Sequence, residues 1–171
     1  VTTRALLIAL TATTLGWVFA GQPAGYQRLG TPQAVGATLY SASREILIVS
    51  PSIRSKDVAE ALRKAALERG VTIFVIADAR LVGEPAGYLS GLSLLENVHV
   101  RLVQGLTSSR ATIDRTIVVS GPLLFDSPNP LENRPTFAAT DPQATATTVA
   151  WFNRVWSTAK PYKYEIQLPK R

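Results

Sequence analysis

Short, near-continuous apolar runs alternate along this chain with longer stretches in which apolar residues recur every three or four positions. In "TPQAVGATLYSASR", Thr31 stands as an N-cap, Pro32 occupies the first helical position, and Val35, Leu39 and Ala42 fall at helical spacing. "EILIVSP" is rich in β-branched residues and ends at Pro51, which predicts a buried strand. "SKDVAEALRKAALERG" sets Val58, Ala61, Leu62, Ala65 and Ala66 on one stripe with charges opposite, and Gly70 stands where a C-terminal cap belongs. "VTIFVIAD" follows at once as a second strand. A strand, a helix and a strand with tight connections predict a parallel pair joined by a right-handed crossover.

Further along, the pattern predicts a helix from Pro85 to Glu96, interrupted by Gly87 and Gly91, and then a third strand, "VHVRLVQ". Alternation there sets Val98, Val100 and Leu102 on one face and His99, Arg101 and Val103 on the other. "GLTSSRAT" reads as a polar loop and "DRTIVVS" as a fourth strand. After a turn around "DSPNPLENRP", "TFAAT" reads as a fifth strand. Asp141 and Pro142 then open a last helix with Val149, Phe152, Val155 and Trp156 on its apolar face. The class is α/β, with a mostly parallel or mixed sheet carrying helices on both faces.

The 171 residues fit one domain, expected over residues 31–171 and preceded by a Gly- and Pro-containing linker over residues 21–30. "VTTRALLIALTATTLGWVFA" places Arg4 before an uncharged apolar run from Ala5 to Ala20. Its end, Val18-Phe19-Ala20, has small residues where a signal peptidase cleaves. The run is somewhat short for a span of about 20 residues. Residues 1–20 are therefore expected to be a secretory signal peptide, with an uncleaved membrane anchor as the alternative. The domain is then exported, to the periplasm or the outside, and Val1 fits a bacterial start codon translated literally.

Charge changes this picture little. Eighteen Lys+Arg against 12 Asp+Glu give a net charge of +6, which favours polyanions or anionic membranes as partners. The basic residues are scattered, and only "KPYKYEIQLPKR" clusters them. There Tyr162 and Tyr164 interleave with Lys160, Lys163 and Lys170, in a surface for a phosphate-rich partner or in a solvated final strand. The absence of cysteine excludes a disulfide framework, a thiolate metal site and a cysteine nucleophile. One histidine among dispersed carboxylates gives no metal-ligand spacing, so neither a metal nor a cofactor is expected.

His99 reads as a histidine on the less buried face of its strand. Ser109, His99 and Asp114 could be drawn as a triad, but no Gly-x-Ser-x-Gly turn supports it. Asp114 and Asp126 flank "TIVV", either as paired carboxylates or, more economically, as turn residues. Trp151, Phe152 and Trp156 read as core packing of the last helix.

The order helix, "REILIVSPSI", helix ending in "ERG", "VTIFVIADA", "LENVHVRLV", and a strand leading to "DSPN" resembles the phospholipase D superfamily over roughly residues 31–158. The resemblance implies a phospholipase D-like α-β-α sandwich. In that family His-x-Lys-x4-Asp precedes a Gly-Ser-x-Asn turn. Paired histidines from two repeats or two subunits attack the phosphorus of a phosphodiester and protonate the leaving oxygen. Laid on residues 113–120, the motif puts Ile113 at the His position, Arg115 at the Lys position and Ser120 at the Asp position. The turn becomes Asp126-Ser127-Pro128-Asn129, one residue closer to the motif than usual.

Isoleucine can neither attack nor carry a proton, so no catalytic residue is expected. Arg115, Ser127 and Asn129 remain as phosphate-binding candidates, because guanidinium, hydroxyl and amide donate to anionic oxygens. The expectation is an exported, catalytically inactive domain that binds or scaffolds a phosphate-containing or protein partner, as a homodimer by analogy with single-repeat members. One alternative is an active phosphodiesterase, a phospholipase or nuclease completed by a rearranged site or a partner. Another is a basic protein that binds DNA or anionic lipid by charge. Residues 1–20, if uncleaved, would add membrane association.

Overall fold

The computed structural model of the chain describes residues 25–122 and 135–165. The expected signal segment, Asp126, Ser127, Asn129 and the end of the basic tail lie outside the described residues. No helix among the described residues is long and apolar enough to cross a membrane.

Among the described residues twelve elements follow in order. They are β1 (Tyr26–Leu29), α1 (Pro32–Tyr40), β2 (Glu45–Ser50), α2 (Lys56–Arg69), β3 (Thr72–Asp78), α3 (Leu89–Leu92), β4 (Val98–Val103), β5 (Arg110–Ile113), β6 (Ile117–Ser120), β7 (Thr136–Ala139), α4 (Pro142–Thr158) and β8 (Lys160–Tyr162). They build one sheet in the order β1-β7-β6-β5-β2-β3-β4-β8. β2, β3 and β4 run parallel to one another. Every other neighbouring pair is antiparallel.

The parallel trio is apolar on both faces because helices cover both. Ile46, Ile48, Ile73 and Val75 face α1 and α2 and join Val35, Leu39, Val58 and Leu62 in the larger core. Leu47, Val49 and Ile76 face α4 and pack on Phe152, with Phe74, Val149, Trp151, Val155 and Trp156 around them. Each such side chain, fully buried, stabilises the fold by about 1.5–3 kcal/mol over leaving it in water.

The caps expected at Thr31, Gly70 and Asp141 form, and Ser55 adds another. The Thr31 hydroxyl accepts from the Ala34 N–H at 3.2 Å, the Ser55 hydroxyl from the Val58 N–H at 3.4 Å, and the Asp141 carboxylate from the N–H groups of Gln143 and Ala144. Gly70 closes α2 at φ +65°, where a side chain would be strained. The buried stripe of α2 takes Ala59 rather than Ala61. Ala61 instead meets α1, where a Cβ on Gly36 would lie 3.3 Å from its Cβ.

Three expectations change, and one open reading is decided. The segment expected as a linker up to Gly30 contributes β1, which pairs with β7 and buries Leu29. Only one of its four residues points inward, so the strand carries no apolar period. The helix expected from Pro85 to Glu96 shrinks to Leu89–Leu92. Gly87 and Gly91 each disfavour helix by about 1 kcal/mol, and the Tyr88 N–H is held by the Ile53 carbonyl at 2.8 Å. β5 occupies part of the expected polar loop, and the expected single strand "DRTIVVS" begins in a turn. Lys160–Tyr162, one of the two readings of the tail, is a strand against β4.

Candidate functional site

Because β2, β3 and β4 are parallel, Ser50, Asp78 and Val103 end together on one rim of the sheet. Open α/β sheets bind ligands outside the carboxyl ends of their strands, so this rim is the place to look. β5 runs antiparallel to β2 and enters at the same rim, with Arg110 opposite Val49. β6 returns to it with Ser120 opposite Arg110. Glu45, Asp114 and Arg115 gather at the opposite rim.

The three residues expected to mark the family motif are not brought together. Ile113 ends β5 in the larger core and is 2% exposed. Arg115 sits in the β5–β6 turn, where its guanidinium donates to the Glu45 carboxylate. That bond raises the guanidinium pKa further above its ordinary value. Ser120 lies half-buried at the far end of β6. The turn itself is tight: the Thr116 N–H donates to the Ile113 carbonyl at 2.9 Å, and Asp114 and Arg115 take φ of +49° and +56°. Two positive φ values in succession are unusual outside glycine and asparagine and need outside support.

Asp114 supplies it. One carboxylate oxygen accepts from the Ser43 N–H and hydroxyl, both at 2.8 Å. The other accepts from the N–H groups of Arg44 at 2.8 Å and Glu45 at 2.9 Å. Burial alone would raise the carboxyl pKa; the donors from Glu45, Ser43 and Arg44 outweigh it and lower it to about 2. Of the two readings of Asp114, the structure has the turn residue, and it ties the hairpin to the α1–β2 connection.

Asp78 plays the matching part at the carboxyl rim. It is fully buried. It accepts from the Arg80 guanidinium at 2.7 and 3.0 Å and from the N–H groups of Arg80, Gly105 and Leu106. The Arg80 bond, with the backbone donors, holds its carboxyl far below the usual carboxylate range against the opposing effect of burial. The β3 end and the β4–β5 loop are thereby fastened to each other.

Near Asp78 the carboxyl rim carries hydroxyls and cations, of which the sequence had singled out only Ser109. Ser50 donates to the Ser52 carbonyl at 2.6 Å, and its hydroxyl lies 3.4 Å from that of Ser109. Ser50 continues the side of β2 that carries Ile46 and Ile48, so Ser109 belongs to the α1–α2 face. On the α4 face a groove runs past Ser108, Arg110, Trp151 and Arg154. A period-two reading of "SRATI" would have signalled that Arg110 and Thr112 share a face. Arg154 carried no signal beyond its place in a helix.

His99, the only histidine of the chain, lies near the start of β4 opposite Phe74, with ring centroids 5.2 Å apart. Its position is exposed, on the less buried face of the strand as expected, and is at the amino end of the parallel strands. It does not meet Ser109 and Asp114, which occupy opposite rims. No cluster of three or more metal-ligating side chains exists among the described residues.

The mixed eight-stranded sheet between α1–α2 and α4 is a phospholipase D-like α/β fold. Among solved structures it is similar to NucT from Helicobacter pylori, at 20% identity over 80% of this chain and 97% of that one, with a TM-score of 0.69. It is also similar to the phospholipase D family member Nuc from Salmonella typhimurium, at 18% identity over 75% and 88% of the two chains, with a TM-score of 0.63. Phosphatidylserine synthase from Haemophilus influenzae matches at 16% identity over 81% of this chain and 37% of its own, with a TM-score of 0.55. No family model and no curated protein sequence matches the chain.

Proposed function

We propose that this chain is a phospholipase D-like domain without phosphodiesterase activity, exported from the cell, that binds or scaffolds a phosphate-containing or protein partner. The observation that carries the reading is the position of His99. A mechanism that needs an imidazole on phosphorus has one in this chain, and it lies tilted against Phe74, away from the carboxyl rim.

The β5–β6 hairpin supports a second register for the family motif. With Asp114 as the motif Asp, Thr107 stands at the His position and Ser109 at the Lys position. Gly121 then falls at the Gly of the Gly-Ser-x-Asn turn, with Pro122 and Leu124 at its Ser and Asn. In this register the residues kept are those the fold needs. Asp114 ties the hairpin, and a Cβ on Gly121 would lie 2.5 Å from the Cα of Thr136. The residues replaced are those the chemistry needs, since neither Thr107 nor Ser109 can attack as an imidazole does or hold charge as an ammonium does. This register moves the motif away from Arg115, whose guanidinium Glu45 already engages.

A homodimer joining two such rims belongs to the same reading and would bring together two edges without histidine. The purified chain is assayed on bis(p-nitrophenyl) phosphate, on single- and double-stranded DNA and on phospholipid vesicles. Turnover stays at the level of buffer on all of them; reproducible turnover on any one sinks the reading.

A further inference from the structure

The groove on the α4 face has a volume of about 640 Å³ and is lined by Val49, Ser108, Arg110, Thr147, Trp151 and Arg154, among others. That volume falls within the roughly 300–1,000 Å³ of small-molecule sites. Among the described residues, no carboxylate lines it.

Most arginines of the described chain are already engaged. Arg54, Arg63, Arg80 and Arg115 pair with carboxylates. Arg69 and Arg101 donate to the backbone carbonyls of Tyr40 and Trp156. Like those of Arg28 and Arg44, the guanidinium groups of Arg110 and Arg154 have no hydrogen bond or ion pair among the described residues, and Arg110 and Arg154 line the same groove. Two unpaired cations beside one cavity repel each other unless an anion lies between them, and guanidinium forks match the oxygens of a phosphate. The Thr147 hydroxyl is occupied by the Gln143 carbonyl at 2.9 Å, which leaves the Ser108 hydroxyl as a further donor. Trp151, half-buried along the groove, offers an indole beside the cations. A flat ring can stack on it.

We propose that this groove binds a nucleoside phosphate, its phosphate between Arg110 and Arg154 and its base against Trp151. The site is separate from the motif positions, because Ser109 belongs to the opposite face of the sheet, and it does not depend on the chain being inactive. Two guanidinium groups set the anion, and the indole selects a ligand that carries an aromatic ring over phosphate alone. The ligand is either a free nucleotide or the end of a single strand.

The experiment is calorimetric and fluorescence titration of the full chain with AMP, adenosine, inorganic phosphate, a thymidine oligonucleotide and phosphatidylglycerol vesicles. The same titrations are run on Arg110→Gln, Arg154→Gln, the double variant and Trp151→Phe. AMP binds, adenosine does not, and phosphate binds more weakly than AMP. Each arginine variant weakens AMP by about tenfold or more, the loss of a hydrogen-bonded charge. Thermal melts establish that the variants fold; Arg154→Lys, which keeps the charge and loses the fork, weakens AMP if Gln disrupts the helix. Arginine-dependent binding tighter for the oligonucleotide than for AMP identifies a strand end, and the reverse identifies a free nucleotide. The proposal is overturned if the double variant binds AMP as the parent does, if phosphate matches AMP, if adenosine matches AMP, or if only the vesicles bind.

Discussion

Gly121 lies against Thr136 so closely that a Cβ on the glycine would sit 2.5 Å from both the Cα and the hydroxyl of Thr136. The contact joins the exit of β6 to the start of β7, and Gly121 has a φ of +138° there. Any side chain must push two backbones apart and leave the region open to L-residues. Gly121→Ala should destabilise the fold by about 3 kcal/mol. Urea unfolding checks this, and a midpoint within error of the parent would show that the strands can separate at no cost.

Asp114 makes stability depend on acid. Its folded pKa of about 2 lies below the ordinary carboxyl value of 3.8, so the folded state holds the proton less tightly than the unfolded chain does. The stabilisation is complete above about pH 4 and is lost as pH falls through 2. Asp114→Asn keeps one acceptor oxygen and leaves Ser43 or the Arg44–Glu45 pair without a partner, at a cost of about 2 kcal/mol near neutrality. Unfolding at pH 7 and pH 2.5 should show a large deficit that shrinks in acid; a deficit independent of pH would mean that the carboxylate charge is idle.

Asp78 and Arg80 should respond unequally although they form one ion pair. Arg80 is 63% exposed on its side chain while Asp78 is buried. Removing the carboxylate orphans the N–H groups of Gly105 and Leu106, whereas removing the guanidinium leaves Asp78 with its three backbone donors. Asp78→Ala should cost about 3 kcal/mol and Arg80→Ala about 1 kcal/mol. Hydrogen exchange at residues 105 and 106 should rise sharply in the first variant and little in the second; equal rises would locate the tie in the ion pair.

The Arg115–Glu45 pair is a surface contact, with side-chain exposures of 57% and 21%. Arg115→Gln should change stability by less than about 1 kcal/mol. It should also leave nucleotide binding in the α4 groove unchanged, because Arg115 is at the other rim. A loss of binding in this variant would tie the two rims together.

The pattern of apolar residues made the parallel core legible. β2, α2, β3 and β4 each bury a run or stripe long enough to carry its own period, and Thr31, Ser55, Gly70 and Asp141 punctuate them where the caps form. β1 was not legible, because backbone pairing with β7 defines it and Leu29 alone is buried. The hairpin is hidden for a related reason. The pattern puts "GLTSSRAT" in a loop and begins a strand at Asp114, and only the side chain of Asp114, reaching back to Ser43 and Glu45, makes Asp-Arg a turn. The groove was illegible because Arg110 and Arg154 come from a strand and a helix far apart in the chain, and nothing local to either marks the other.

The edge position of β1 also sets the order in which the molecule can be completed. Tyr26 pairs with Ala139 and Leu29 with Thr136, so β1 has no partner until β7 has been made. β2, α2 and β3 can condense as a local unit, while the β1–β7 pair must wait for a distant contact and its loop entropy. Until then Tyr26–Leu29 is an unpaired ribbon, so that edge of the sheet closes by a long-range pairing while the parallel centre closes by short ones.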